Sequence, residues 1–181
     1  FGNDGNISQE RLEDCINSDL ANNYGNLCQR VTAFAHKNCD GIIPHDINFQ
    51  KEDLSILDKY NDNLDKIRKN IDEQNINFYI DYIVNSLFEV NKYFNDQEPW
   101  KKKDDIIRLN TIIYTSLEII RKISYLLYPI IPDSSLKALK IFNLSVKDIK
   151  LDSIKNNEFL SKGDKIEKIN ILFKKIEKNN D

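Results

Sequence analysis

Four runs of apolar side chains, each stepping by three or four residues, commit this chain to helices that must bury one face. The longest run is Ile106, Leu109, Ile113, Leu117, Ile120, Ile123 and Leu127. Steps of three and four return to one face of a 3.6-residue helix, so such a run is a stripe and not a scatter. Leu20, Tyr24, Leu27, Val31 and Phe34 form a second stripe within a helix predicted from about residue 8 to residue 38. Leu57, Tyr60, Leu64, Ile67 and Ile71 form a third, and Ile76, Ile80, Ile83, Leu87, Val90 and Phe94 a fourth. Breaks fall at Asp40-Gly41 through Pro44, near Asn75, at Pro99, and between Pro129 and Pro132. No segment alternates in the two-residue period of a strand. Ile42-Ile43 and the stretch from Asp46 to Phe49 read as an extended connector. Four amphipathic helices joined by short breaks predict an all-α, antiparallel bundle of four to five main helices. The fifth is a short helix capped by Asp133-Ser134 and running through Leu136, Leu139 and Ile141. Residues 1–151 carry the bundle. From Asp152 the chain is polar, with one late cluster at Ile171, Leu172, Phe173 and Ile176.

Composition narrows the function classes. With 181 residues, one domain with a real core is expected. No long uncharged apolar run exists, so no membrane span is expected. The chain opens on Phe1 and contains no methionine, and it reads as part of a longer protein. Lys+Arg number 26 against 29 Asp+Glu, a net charge of −3. That balance excludes a general nucleic-acid coat, which needs a large positive excess, but leaves room for a small reading site. Cys15, Cys28 and Cys39 are an odd set without a CxxC pair, as in a reducing, cytoplasmic compartment. His36 and Cys39, with Cys15 or His45, match no zinc-site spacing, and no metal site is expected. Two histidines without a nucleophile context, and no Gly-rich phosphate loop, argue against catalysis by this chain alone.

Two features stand out as binding candidates. Trp100 is the only tryptophan and follows Pro99 in the run from Glu98 to Lys103. Pro99 ends a helix and biases Glu98 away from helical geometry, placing Trp100 at a helix exit beside Lys101, Lys102 and Lys103. A flat ring next to cations suits stacking on an unpaired base with phosphate nearby. On residue type alone, a core anchor is the commoner use of such a ring. On the first helix, Asn26 and Arg30 are four apart and lie roughly 80–120° from the centre of the apolar stripe. Lys37 is in line with them, and Asn23 lies nearer the stripe. An amide and a guanidinium fork on one flank can read a base edge, or can make helix–helix hydrogen bonds. Gly25 weakens a helix by roughly 1 kcal/mol relative to Ala, which points to a close approach there, by a neighbouring backbone, a ligand or a tight helix crossing.

Several segments together resemble the methionyl-tRNA synthetases. Asn17-Ser18-Asp19-Leu20-Ala21-Asn22-Asn23-Tyr24-Gly25-Asn26-Leu27-Cys28-Gln29-Arg30 is similar to the family's "NADLAN-x-x-GNL-x-xR" helix. Phe1 to Ser8 resembles the segment after the catalytic domain. Glu89-Val90-Asn91-Lys92-Tyr93 with Glu98-Pro99-Trp100 resembles "E-x-N-x-Y…PW". Leu126 to Pro132 resembles the "LL-x-P-(F/I)-(M/I)-P" turn, and Leu172 to Glu177 the closing "LFPRIE". The resemblance implies a C-terminal anticodon-binding helix bundle. It implies that Trp100 stacks on an anticodon base in a pocket shaped by Pro99, and that Asn26 and Arg30 bond the anticodon, chiefly a first-position cytosine. Asn23, Lys37, Lys101, Lys102 and Lys103 are accessory candidates. The implied partners are the methionine tRNA and the catalytic domain of the parent chain, towards which residues 152–181 fold back. The ATP-site motifs "HIGH" and "KMSKS" and the zinc-bearing insertion are absent, so ATP and zinc belong to the parent, and this chain alone should not activate methionine. The chain departs from the family where Lys101-Lys102-Lys103 runs straight into Asp104, and where Lys174-Lys175 replaces "PR". Two other readings stay open on the residues: the anticodon domain of another class I synthetase, and a helical protein-interaction module with Trp100 buried.

Overall fold

The computed structural model describes residues 8–177. Phe1 to Ile7, most of the segment compared above from Phe1 to Ser8, and residues 178–181 lie outside the described residues. The stripe from Leu20 to Phe34 lies on one continuous rod in three parts: α1 (Gln9–Cys15), a π-helical stretch (Ile16–Gly25) and α2 (Asn26–Asn38). Then follow α3 (Lys51–Asp72), α4 (Ile76–Asp96), α5 (Ile106–Leu127) and α6 (Pro132–Leu139), with short 3-10 turns after α4 and after α6. Among the described residues there is no β-strand, and none of the helices is long and apolar enough to cross a membrane.

Local chemistry sets the boundaries. The Ser8 hydroxyl accepts from Arg11 N at α1, Asn75 caps α4, and Asp105 caps α5 by accepting from Arg108 N at 3.0 Å. At α3 the Asp53 carboxylate reaches back to Gln50 N, a capping box. Left-handed residues turn the chain after the helices: Asp40, Gln74, Glu98 and Asn143. The fifth helix starts differently from expectation. Its N-cap is Ile131 and Pro132 occupies its first turn, so Asp133 sits inside the helix. Proline needs no N–H at that position and its fixed φ favours it, which moves the start upstream of Asp133-Ser134.

Pairings across the bundle give its topology. Tyr60 meets Tyr82 and Lys59 pairs with Glu89, so α3 and α4 are antiparallel. Tyr24 meets Ser124 while Cys39 meets Asn110, so the rod and α5 are antiparallel. Asn23 meets Asn91 and Arg30 meets Asn95, so the rod and α4 run the same way. The result is an up-down-up-down bundle with α6 packed at the end of α5.

α5 is the axis of the molecule, buried continuously from Thr111 to Leu127. Its apolar stripe meets the other helices, and its polar residues are enclosed as well. Glu118 and Arg121 pair at 2.7 Å with neither exposed. Glu118 also accepts Leu160 N at 2.6 Å, and Arg121 donates to the carbonyls of Ser153 and Asn156. Lys122 Nζ donates to Asn157 Oδ1 at 2.5 Å and to Leu57 O at 3.3 Å. Each of these charges therefore holds the segment after residue 150 against the bundle.

That segment is more than a polar tail. Ile154, Leu160 and Ile166 enter the core. Residues 163–166 lie antiparallel to the connector, with Gly163 N to Ile43 O at 2.8 Å, Ile43 N to Asp164 O at 2.8 Å and Ile166 N to Gly41 O at 2.7 Å. The late cluster contributes less: Leu172 and Phe173 are half-buried, and Ile171 is exposed. Phe173 and Leu172 lie over Gly25, where an added Cβ would sit 3.4 Å from Phe173 Cδ2 and 3.2 Å from Leu20 O. The close approach that Gly25 signals is thus made by the tail and by the π-helical backbone.

Candidate nucleic-acid interface

α4 ends at Asp96, and the chain leaves it through Gln97 and Glu98. Glu98 takes a left-handed conformation (φ 45°, ψ 57°), and Pro99–Lys101 forms one 3-10 turn. Lys101 N donates to Glu98 O at 2.8 Å, and the Lys101 ammonium pairs with the Glu98 carboxylate at 2.7 Å. Pro99 is buried while Trp100 remains 41% exposed. The helix exit expected from Pro99 is therefore present, and its ring is not a core anchor. One edge of the indole rests on Phe94, with ring centroids 6.4 Å apart and planes tilted by 64°.

Phe94 links the ring to the rod. The Arg30 guanidinium lies 5.6 Å from the Phe94 centroid, and Phe34 packs edge-on against Phe94 at 5.8 Å. Arg30 Nη2 donates to Asn95 Oδ1 at 2.7 Å. One of the five guanidinium donors is thus committed, and the fork is pinned in direction. Asn26 is half-buried one turn before Arg30, and its side chain has no hydrogen bond to another described residue. Arg30, Phe94, Trp100 and Pro99 are brought together at one end of the bundle, with Asn26 adjacent along the rod.

The accessory candidates divide. Asn23 is buried and does not belong to the exposed flank. Its Oδ1 accepts from Asn91 Nδ2 at 2.7 Å, and its own Nδ2 has no partner among the described residues. The π-helical stretch turns more residues per turn than an α-helix, and rotates Asn23 inward beside Tyr24. Lys37 is exposed but lies two turns beyond Arg30, beside a separate groove lined by Gln29, Thr32, His36 and Lys168. Lys101 is engaged with Glu98, Lys102 is half-buried and Lys103 is exposed. Among the described residues no three His, Cys, Asp or Glu side chains gather to hold a metal ion. Cys28 is fully buried and burial pushes its thiol up; Cys39 is pushed up to about 11 by burial and by Asp40; Cys15 is exposed.

The platform under Trp100 is a buried charge cluster that the sequence reading passed over. The Arg108 guanidinium at the start of α5 clasps Asp53 of α3 at 2.5 and 3.0 Å. Asp53 also accepts from Gln50 N and the Tyr93 hydroxyl, so about four carboxylate acceptor sites are all used. Arg108 Nη2 then donates to Gln97 Oε1 at 2.6 Å. Burial alone would lower the Arg108 pKa, but the bond to Asp53 and its charge hold it above the ordinary value. Phe94 was placed only in an apolar stripe, Asn91 only in the Glu89–Tyr93 motif, and Asn95 nowhere. Asn91 and Asn95 are four apart on α4, the same polar-flank signature that marked Asn26 and Arg30.

A part-exposed ring with a pinned guanidinium and an unpaired amide close by can stack on a flat heterocycle and donate to its edge. A family model described as the anticodon binding domain of methionyl tRNA ligase matches residues 43–181. The chain belongs to this family. It is 34% identical over 179 residues to the methionine–tRNA ligase of Thermotoga maritima, covering 98% of this chain and 28% of that protein. It is 38% identical over 142 residues to the Brucella suis ligase, covering 78% of this chain and 28% of the relative. The chain thus spans 28% of the length of these relatives. The free-state Mycobacterium tuberculosis methionyl-tRNA synthetase superposes with a TM-score of 0.90 at 29% identity, over 98% of this chain and 37% of that one. The same synthetase in complex with methionyl-adenylate superposes at 0.88 and 30% identity, over 96% of this chain and 35% of that one. The helical fold is that of the anticodon-binding domain of the methionyl-tRNA synthetases.

Proposed function

We propose that this chain reads the anticodon loop of the methionine tRNA for a parent methionine–tRNA ligase. The observation that carries the reading is the 41% exposure of Trp100, held edge-on by Phe94 beside Arg30. A tryptophan serving only as a core anchor would be enclosed. In this reading an unpaired base stacks on Trp100, worth about 1–3 kcal/mol whatever the base. Pro99 shapes the pocket floor. Asn26 and Arg30 supply discrimination, chiefly for a first-position cytosine, because a donor left unpaired by the wrong base costs about 1–3 kcal/mol. Lys102, Lys103 and Lys37 meet phosphates at the rim, and Lys101 does so only by leaving Glu98. Asn23 acts from inside, by holding Asn91.

Residues 1–151 form the reading bundle, and 152–181 the tail that completes the same unit and faces the catalytic domain of the parent chain. Methionine activation, ATP and zinc belong to that other part, in the cytoplasm. A single titration tests the reading. Anticodon stem-loops with cytosine, or another base, at the first position are added while the emission of Trp100 is followed. Saturable quenching by the cytosine loop and weak quenching by the control is the expected result. No quenching by either loop at low salt would refute the assignment of Trp100.

A further inference from the structure

The segment that carries Trp100 is a loop closed at its neck by one hydrogen bond. Gln97 is the last residue before the left-handed Glu98, and Arg108 lies in the first turn of α5. Arg108 Nη2 donates to Gln97 Oε1 at 2.6 Å across that loop. Behind Arg108 stands Asp53, fully buried, with its acceptor sites filled by Gln50 N, the Tyr93 hydroxyl and the guanidinium itself. Asp53 belongs to the start of α3, Tyr93 and Gln97 to the end of α4, and Arg108 to the start of α5. Three helix ends are thus joined beneath the loop, on the side away from solvent.

We propose that Gln97 and Arg108 are positioning residues for Trp100, setting the pose in which the ring meets a base without touching the base themselves. This rests on the reading of Trp100 as a stacking platform. The physical case has three parts. The guanidinium cannot swing, because its fork is fixed bidentately on a carboxylate that has no spare acceptor. Gln97 is therefore tied to an immobile donor. Glu98 adopts a backbone conformation that a non-glycine residue holds only when its surroundings impose it. The tie at Gln97 on one side and the buried Pro99 on the other supply that constraint. Finally, the one ring contact of Trp100 among the described residues is the edge of Phe94, so the backbone that carries the indole has a large share in setting its direction. A ring fixed in advance binds with less ordering cost than one that must be caught.

The test separates this role from mere stability, because Gln97 is half-buried and takes no part in the two Asp53–Arg108 contacts. Gln97→Met removes the acceptor, and Gln97→Glu keeps one. Two readouts are taken on the whole chain: in the free protein, acrylamide quenching and anisotropy of Trp100; with RNA, the affinity for the cytosine stem-loop. The expected result is greater quenching, lower anisotropy and about five- to tenfold weaker binding for Gln97→Met, with Gln97→Glu close to the parent sequence and the preference for cytosine kept in both. If both variants match the parent in quenching, anisotropy and affinity, or if both loosen the ring equally, the tie at Gln97 does not set the pose. The free-protein readouts judge the positioning even if no stem-loop binds the parent sequence, an outcome that would refute the RNA reading instead.

Discussion

Lys122 offers the sharpest test of the buried charge on α5. The side chain has 0% exposure, and its ammonium faces Asn157 Oδ1, Asn61 Oδ1 and the Leu57 carbonyl, with the Tyr60 ring 5.9 Å away. Burial, and then the charge of Arg121, lower its pKa from 10.5 to about 8, against the pull of Glu118 and Asp58. The sign follows from linkage. Below about pH 8 the group is charged in both the folded and the unfolded chain and contributes no slope. Between about 8 and 10.5 the unfolded chain binds more protons, so this group makes stability rise with pH. At about 1.4 kcal/mol per unit, the full window is worth about 3 kcal/mol, and about half of it accrues between pH 7 and pH 9. Cys28 and the buried tyrosines Tyr24 and Tyr60 have raised pKa values and act in the opposite direction as pH climbs. The measurement is therefore a difference. Urea unfolding of the parent sequence and of Lys122→Met at pH 7 and pH 9 should show the parent gaining about 1–2 kcal/mol on the variant between the two pH values. Parallel pH dependence in the two proteins would mean that Lys122 is hydrated, and that the tail does not seal it.

The other expectations concern the site and its frame. Arg108→Met should cost about 3–5 kcal/mol in denaturant unfolding, because it leaves Asp53 buried and half-satisfied. The double variant with Asp53→Leu should recover much of that loss, and simple additivity would contradict a dry ion pair. Trp100→Ala should weaken all anticodon stem-loops alike, by about 1–3 kcal/mol, whereas Asn26→Ala or Arg30→Ala should mainly erode the preference for cytosine; equal loss of selectivity in all three would reject that division. Ending the chain before Ser161 should lower the thermal midpoint, since it removes buried Ile166, the backbone bonds of residues 163–166 to Gly41 and Ile43, and the Phe173 contact with Tyr24. An unchanged midpoint would show that the tail adds nothing to the fold.

How much of this was legible depended on whether the signal was periodic. The stripes on α3, α4 and α5 located those helices because burial of one face repeats every three or four residues. Pro99 and the residue before it located the exit that carries Trp100 through proline chemistry alone. Neither rule reaches Asp53, Arg108, Glu118, Arg121 or Lys122. Charges on a helix read as a solvated face, and the partners that pay for their burial lie tens of residues away: Asp53 is 55 residues from Arg108, and Leu160 is 42 from Glu118. The rod failed differently. Leu20 and Phe34 are only half-buried, and Cys28 and Ala35 take inward positions, so the buried face of the rod is centred nearer Tyr24, Cys28, Val31 and Ala35, while the π-helical stretch departs from the 100° wheel before Gly25. Asn23, expected nearer the stripe and an accessory contact, is buried instead and bonded to Asn91.

The misplaced residues share a location that bears on function. The π-helical stretch ends at Gly25, directly before Asn26, and the buried Asp53–Arg108 pair lies directly behind Gln97. Both irregularities abut the residues that the site needs in fixed directions. The π-helical stretch sets the rotation of Asn26 and Arg30 relative to Asn23, and in that phase Arg30 bonds Asn95 while Asn91 bonds Asn23. An apolar substitute for the Asp53–Arg108 pair would pack the three helix ends but offer no donor to Gln97. With a net charge of −3 the chain has no broad positive field with which to hold RNA. On the proposed reading, selectivity rests on a few groups aimed in advance, and the costly features of the fold stand beside those groups.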